Sequence, residues 1–262
     1  MNSLHTKPTL RFSKTLPKNI KNLSFVDCNK KEICGSCELV NTNYKKSLQK
    51  KHLESLAILK QNFLDNEIRY LQPTPSPKTL NYRSTAKLAV RRTDREKRFL
   101  IGLFSPGSHK VVDIVGCPVH HISIDKILPI LQQKLESSTL DPWDEKNQTG
   151  DIKYLVIRAS HLTGKLMITF VCANQKSLIQ LRKIVRALPS TVVSSTWANI
   201  NRASGNAIMG DKMKHLSGSA RLRDSLGDLD LFVSPGSFFQ VNPWTASLIY
   251  RRIQDLLGCS TK

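Results

Sequence analysis

Three cysteines close together and a fourth far along the chain constrain the fold more than any other feature. They stand in Cys28-Asn-Lys-Lys-Glu-Ile-Cys34-Gly-Ser-Cys37 and in Cys117-Pro118. If all four act together, a segment eighty positions downstream must return to the start of the ordered chain. Three thiolates on one short loop, bent at Gly35, can ligate a metal or a cluster without long side chains reaching in. Four thiolates suit tetrahedral zinc or an iron–sulfur cluster. Zinc sites favour two close pairs, whereas three-plus-one with a proline after the remote cysteine is commoner around a cubane cluster. Spacing leaves both open, along with unligated core cysteines.

Charge narrows the partner. The 262 residues hold 40 Lys and Arg against 20 Asp and Glu, a formal charge of +20. That excess favours a polyanion, and nucleic acid is the usual one; the alternative is a basic protein kept soluble by its charge. No apolar run is long enough to span a bilayer. The first 22 residues are basic, carry no acid and lack the apolar centre of a secretory signal. Residues 1–27 therefore read as a flexible basic arm. Six cysteines of which four look like ligands point to a reducing, cytoplasmic setting rather than a disulfide scaffold.

The remaining chain reads as mixed α/β. A helix is expected from about Asn43 to Leu64, with Leu48, Leu56, Leu59 and Phe63 on one side and lysines elsewhere. Leu71 to Pro77, with three prolines, is an extended connector. From Tyr82 the period becomes two, and turns at 93–97 and 105–108 make a three-stranded antiparallel meander that runs into Cys117. Arg83, Lys87, Arg91, Arg92, Arg95, Lys97 and Arg98 crowd this meander, which makes it the candidate RNA-binding patch; single arginines there are also ordinary surface residues. Beyond it come a helix through Ile124–Leu135, with Pro129 in its first turns or at a kink, and a hairpin at Ile152–Ala159 and Lys165–Cys172. A helix ended by Pro189, a strand at Thr191–Ile200 and short strands to Val233 follow. The expected units are a cluster loop, helix and basic meander over 28–120 and a central α/β domain of mixed sheet and packed helices over 121–243. Last comes Ser234-Pro-Gly-Ser-Phe-Phe-Gln-Val-Asn-Pro243, then a helix from Trp244 to about Leu257. Its aromatic pair beside Gln240 and Asn242 could stack on a base and bond its edge, or could be core.

Together, the cysteine set, Tyr82-Arg-Ser-Thr-Ala-Lys-Leu88, Cys117-Pro-Val119 and Ser234–Pro243 resemble the uracil-5 methyltransferases of ribosomal and transfer RNA. The resemblance spans about Cys28 to Tyr250 and is nearest the 23S ribosomal RNA branch. It implies a four-iron–four-sulfur cluster on Cys28, Cys34, Cys37 and Cys117. It also implies that Gln240 contacts S-adenosylmethionine and that Phe238 lies near a flipped-out uridine, since methylating a ring carbon requires the base to leave its stack. By the same resemblance the methyl-transfer domain starts after the last helix, so residues 244–262 read as its beginning. A Gly-rich cofactor turn, a nucleophilic cysteine and a proton-abstracting glutamate have no counterpart here, and Cys259 stands in the wrong context to be that nucleophile. The family's N-terminal nucleic-acid-binding barrel also has no counterpart. The expectation is the cluster-binding and RNA-recognition portion of such an enzyme, truncated or split, inactive alone, with the catalytic domain on a separate chain. The alternative is a self-standing, non-catalytic iron–sulfur RNA-binding module.

Overall fold

The computed structural model describes residues 26–62, 70–93, 99–203, 205 and 207–258. Residues 1–25 of the basic arm, Phe63, Leu64, Arg95, Lys97, Arg98 and Cys259 lie outside these residues. The fold is mixed α/β, as its periodicities imply.

One sheet of seven strands organises the protein. Its meander is β1 (Thr85–Arg91), β2 (Leu100–Phe104) and β3 (Val111–Asp113). The hairpin follows as β4 (Ile152–Ala159) and β5 (Leu166–Cys172), then β6 (Val193–Ile200) and β7 (Lys212–Gly218). The spatial order is β3-β2-β1-β4-β5-β6-β7. All pairs are antiparallel except β5–β6, which are parallel because the helix α4 (Leu178–Arg186) carries the chain across between them. Because β1 pairs directly with β4, strands from both sides of residue 121 belong to one continuous sheet. Gly102 allows the close approach of β3 to β2: a Cβ there would stand 1.8 Å from the Val112 carbonyl oxygen.

The core lies on one face of that sheet. Leu88, Val90, Leu155, Ile157, Ile168 and Phe170 point into it and meet two helices, α4 and α3 (Ile122–Glu136). On α3 the apolar residues Ile124, Ile127, Leu128, Leu131 and Leu135 recur at helical spacing and are all buried. The helix runs on through Pro129 and starts where Nδ1 of His121 accepts from the Ser123 amide. Burying these five large aliphatic side chains at roughly 1.5–3 kcal/mol each accounts for a helix that tolerates an interior proline costing about 3 kcal/mol.

The N-terminal helices pack less. A one-turn α1 spans Lys31–Cys34, and α2 spans Tyr44–Asn62. On α2 only Ser47, Leu48 and His52 are buried, and Leu59 is exposed, so its apolar side is less covered than its spacing implies. A separate hairpin, β8 (Leu222–Leu226) and β9 (Leu229–Val233), and the helix α5 (Pro243–Leu256) complete the described chain.

Candidate cysteine centre and aromatic loop

The loop with three cysteines is shaped by short-range backbone bonds. The Cys34 amide donates to Lys30 O at 2.8 Å, and Gly35, left-handed at φ 60°, ends the turn by donating to Lys31 O. A Cβ on Gly35 would strike the Pro106 ring, so the loop leans on the β2–β3 turn. Asn41 Oδ1 accepts from the Cys28 amide, and Lys30 Nζ reaches Val115 O at 2.6 Å, two residues before Cys117. The segment bearing Cys117 is held by its amide bond to Ile114 O and by Gly116 N–H donating to Asp125 on α3.

All four thiols are free and half-buried. Burial pushes the Cys37 thiol up, Cys117, Cys34 and Cys28 add to the push, and Arg83 opposes it. The same field, after burial, raises the Tyr82 phenol. Sequence-distant cysteines therefore converge within electrostatic reach. Among the described residues, however, no three His, Cys, Asp or Glu side chains are gathered as a metal-ion site. Zinc would need its sulfurs about 3.8 Å apart, given a zinc–sulfur bond of about 2.3 Å. A cluster binds one thiolate at each of several irons and so accepts a wider spread. An all-thiol donor set with no carboxylate or imidazole suits such a cluster.

The second element is the loop between β9 and α5. Ser234 and Ser237 close a turn, and Arg158 Nη2 donates to Ser237 O at 2.8 Å from a side chain that is nearly enclosed. Burial lowers the Arg158 pKa, and Asp224 opposes this. Asp224, fully buried, meets His161 Nδ1 at 2.6 Å, and His161 lies edge-on to Trp244. On the other side the Ser84 amide donates to Val241 O at 2.8 Å, and its hydroxyl reaches the Gln240 and Val241 carbonyls. Asn242 caps α5 by accepting from Thr245 N, with Pro243 in the first turn. So held, Phe238 is 83% exposed, whereas Phe239 and Gln240 are half-buried. Phe238 is thus not a core aromatic. Neither Arg158 nor Asp224 stands out in sequence: an arginine inside a strand and an aspartate in a short hairpin carry no motif.

The basic residues of the meander separate. Arg83 is exposed, with Nε donating to Thr85 O, and Lys87 is exposed on β1. Arg92 is exposed and pairs with Asp141 at 3.3 Å. Arg91 differs from these in its surroundings. It is 8% exposed, donates to Val90 O and Lys153 O, and pairs with Glu145 at 3.2 Å. Its Nη1 and Nη2 donors are engaged inside the protein, so it braces β1.

Comparison with known proteins shows what the chain is similar to. The chain is distantly homologous to RNA methyltransferases. It is 30% identical over 230 residues to an uncharacterized RNA methyltransferase of Geobacter sulfurreducens, covering 87% of this chain and 46% of that protein. It is 31% identical over 223 residues to one of Lactobacillus johnsonii, covering 85% and 48%. More particularly, it resembles the crystal structure of a Pyrococcus abyssi tRNA (uracil-54, C5)-methyltransferase in complex with S-adenosyl-L-homocysteine. That match has a TM-score of 0.70 and 26% identity over 85% of this chain and 50% of that one. The chain thus spans about half the length of the relatives it matches. No family model matches it.

Proposed function

We propose that this chain is the cluster-binding and RNA-recognition portion of an S-adenosylmethionine-dependent RNA uracil-5 methyltransferase acting on ribosomal RNA. The observation that carries the reading is the meeting of its two motifs at consecutive residues. The Arg83 amide donates to Val119 O in the Cys117-Pro-Val motif at 3.0 Å, and Ser84 binds the segment Gln240–Val241. In this reading Cys28, Cys34, Cys37 and Cys117 hold a four-iron–four-sulfur cluster. Bound there, it supplies a covalent clamp between the N-terminal loop and the β3–α3 junction rather than an electron. Phe238 presents an open ring to a base taken out of its stack, and Gln240 faces the methyl donor. Arg83, Lys87 and Arg92 meet phosphates.

Methyl transfer at C5 needs a thiolate to add at C6 and a base to remove the C5 proton. In this reading those groups come from the half of the relatives that the match does not cover, supplied by a continuation of the chain or by a separate one. The apolar stripe Ile249, Ile253, Leu256 and Leu257, all exposed on α5 or at its end, is where that half would pack.

Metal analysis of chain purified without oxygen tests the centre. About four irons and four sulfides per chain are expected, lost in Cys117→Ser; one zinc without sulfide would refute the cluster. Calorimetry with S-adenosylmethionine should show weak or no binding by these residues alone, and tight binding would show that the cofactor site is misplaced.

A further inference from the structure

The face of the sheet opposite the core carries a row of residues in direct register across five strands. Lys87 on β1 pairs with Val156, Val156 with Thr169, Thr169 with Trp197, and Trp197 with His215 on β7. Cross-strand partners point to the same side, and neighbours along each strand point to the other. Leu88, Leu155, Ile157, Ile168, Phe170 and Ala198 fill the core, so the row projects away from α3 and α4. Its ends are accessible: Lys87 and His215 are exposed and Trp197 is half-buried. Between its ends Val156 and Thr169 are covered, at 4% and 1% exposure, so the accessible part of the row is its two ends.

We propose that this row is a stacking surface for unpaired RNA, with Trp197 and His215 receiving a base and Lys87 a phosphate. The inference rests on the reading of RNA as partner. Trp197 and His215 have ring centroids 4.8 Å apart but are tilted by 55°, so the imidazole does not lie flat on the indole. The indole N–H donates to Ser195 at 3.0 Å, which fixes the ring's orientation beforehand. A base of any identity has a π-face to offer such a platform. Three strand spacings separate Lys87 from Trp197, ~14 Å, the distance a bound strand has to bridge between phosphate and base. Its polyanionic backbone complements a chain of charge +20. The adjacent row contains Arg158, paired with Thr85 and Met167, ~7 Å along the strands. Arg158 grips the backbone of the loop that carries exposed Phe238, so that loop is tied to the same face.

The test uses the full chain and a short oligouridylate, with a blunt RNA duplex as competitor. Trp197→Leu should weaken oligouridylate binding about 5- to 100-fold without altering the salt dependence. Trp197→Phe should keep binding within about 3-fold but abolish ligand-induced indole quenching. Lys87→Gln should lower the slope of log K against log salt by about 0.7. Should Trp197→Leu fail to fold, Lys87→Gln and His215→Ala, both at exposed positions, carry the test. Wild-type binding matched by every variant, or a duplex preferred to the single strand, would overturn this surface and leave RNA binding intact. No salt-dependent binding by the wild type would instead overturn the RNA reading itself.

Discussion

The cysteine loop and the aromatic loop both rest on the start of β1, but they are held in opposite ways. The cysteine loop is shaped by bonds between near neighbours, one long lysine reaching Val115, and four thiols that remain half-buried and unjoined. The aromatic loop is gripped by Ser84 and Arg158, both buried and far away in sequence. One region is shaped mainly by its own backbone; the other is tied to buried side chains distant in sequence. In the proposed reading a cluster stabilises mainly the first, while the second depends on the quality of the α/β core.

The sharpest way to break this contrast is Arg158→Met. It orphans the Ser237 carbonyl and removes the cation facing buried Asp224, so unfolding free energy should fall by ~3 kcal/mol in urea titration. Hydrogen exchange should rise across 234–242 and not across 28–40. Equal loosening of both loops would show that they are one cooperative unit.

Acid should strike the ground they share. Burial and Arg83 lower His120 from 6.5 to about 4, against an opposing Asp125, and burial and Lys78 also lower His121. A folded-state pKa below the unfolded one means that the unfolded chain binds the proton more readily. The stabilisation is therefore complete above about pH 6.5 and is lost as pH falls towards 4, by at most ~3 kcal/mol for His120. Thermal melts of wild type and His120→Gln across that window should converge at the acidic end.

Gly35→Ala should cost ~1–2 kcal/mol, since its φ is positive and the new methyl meets Pro106. The loss should appear as faster exchange in 28–40 alone. The smallest effect, ~1 kcal/mol, is expected for Ser84→Ala, which removes the hydroxyl bonds to the aromatic loop but keeps the amide bond to Val241. Any change in metal content in that variant would tie the two loops together more closely than their bonds do.

Most elements were legible because their periodicities are strong. The alternation after Tyr82, the helical spacing from Ile124 to Leu135 and the Pro189 stop appear as β1, α3 and the end of α4. The α2 helix was legible as a helix, yet its burial was not, because spacing reports a face without reporting what covers it. The basic patch was legible only as composition. Arg91 and Lys87 look alike in sequence, and only their neighbours make one a buried brace and the other an exposed cation.

By itself, the sequence determined the helix and strand types, the mixed α/β class, the two motifs and the excess of positive charge. These follow from local periodicity, turn chemistry and counts, which need no knowledge of distant residues. Only the tertiary structure decided that the meander and the later strands form one sheet, that Arg83 and Ser84 join the two motifs, and that Arg158 and Asp224 support the aromatic loop. It also decided that Lys87, Trp197 and His215 share a row. Each of those depends on strand register and long-range pairing, where a shift of one residue sends a side chain to the opposite face.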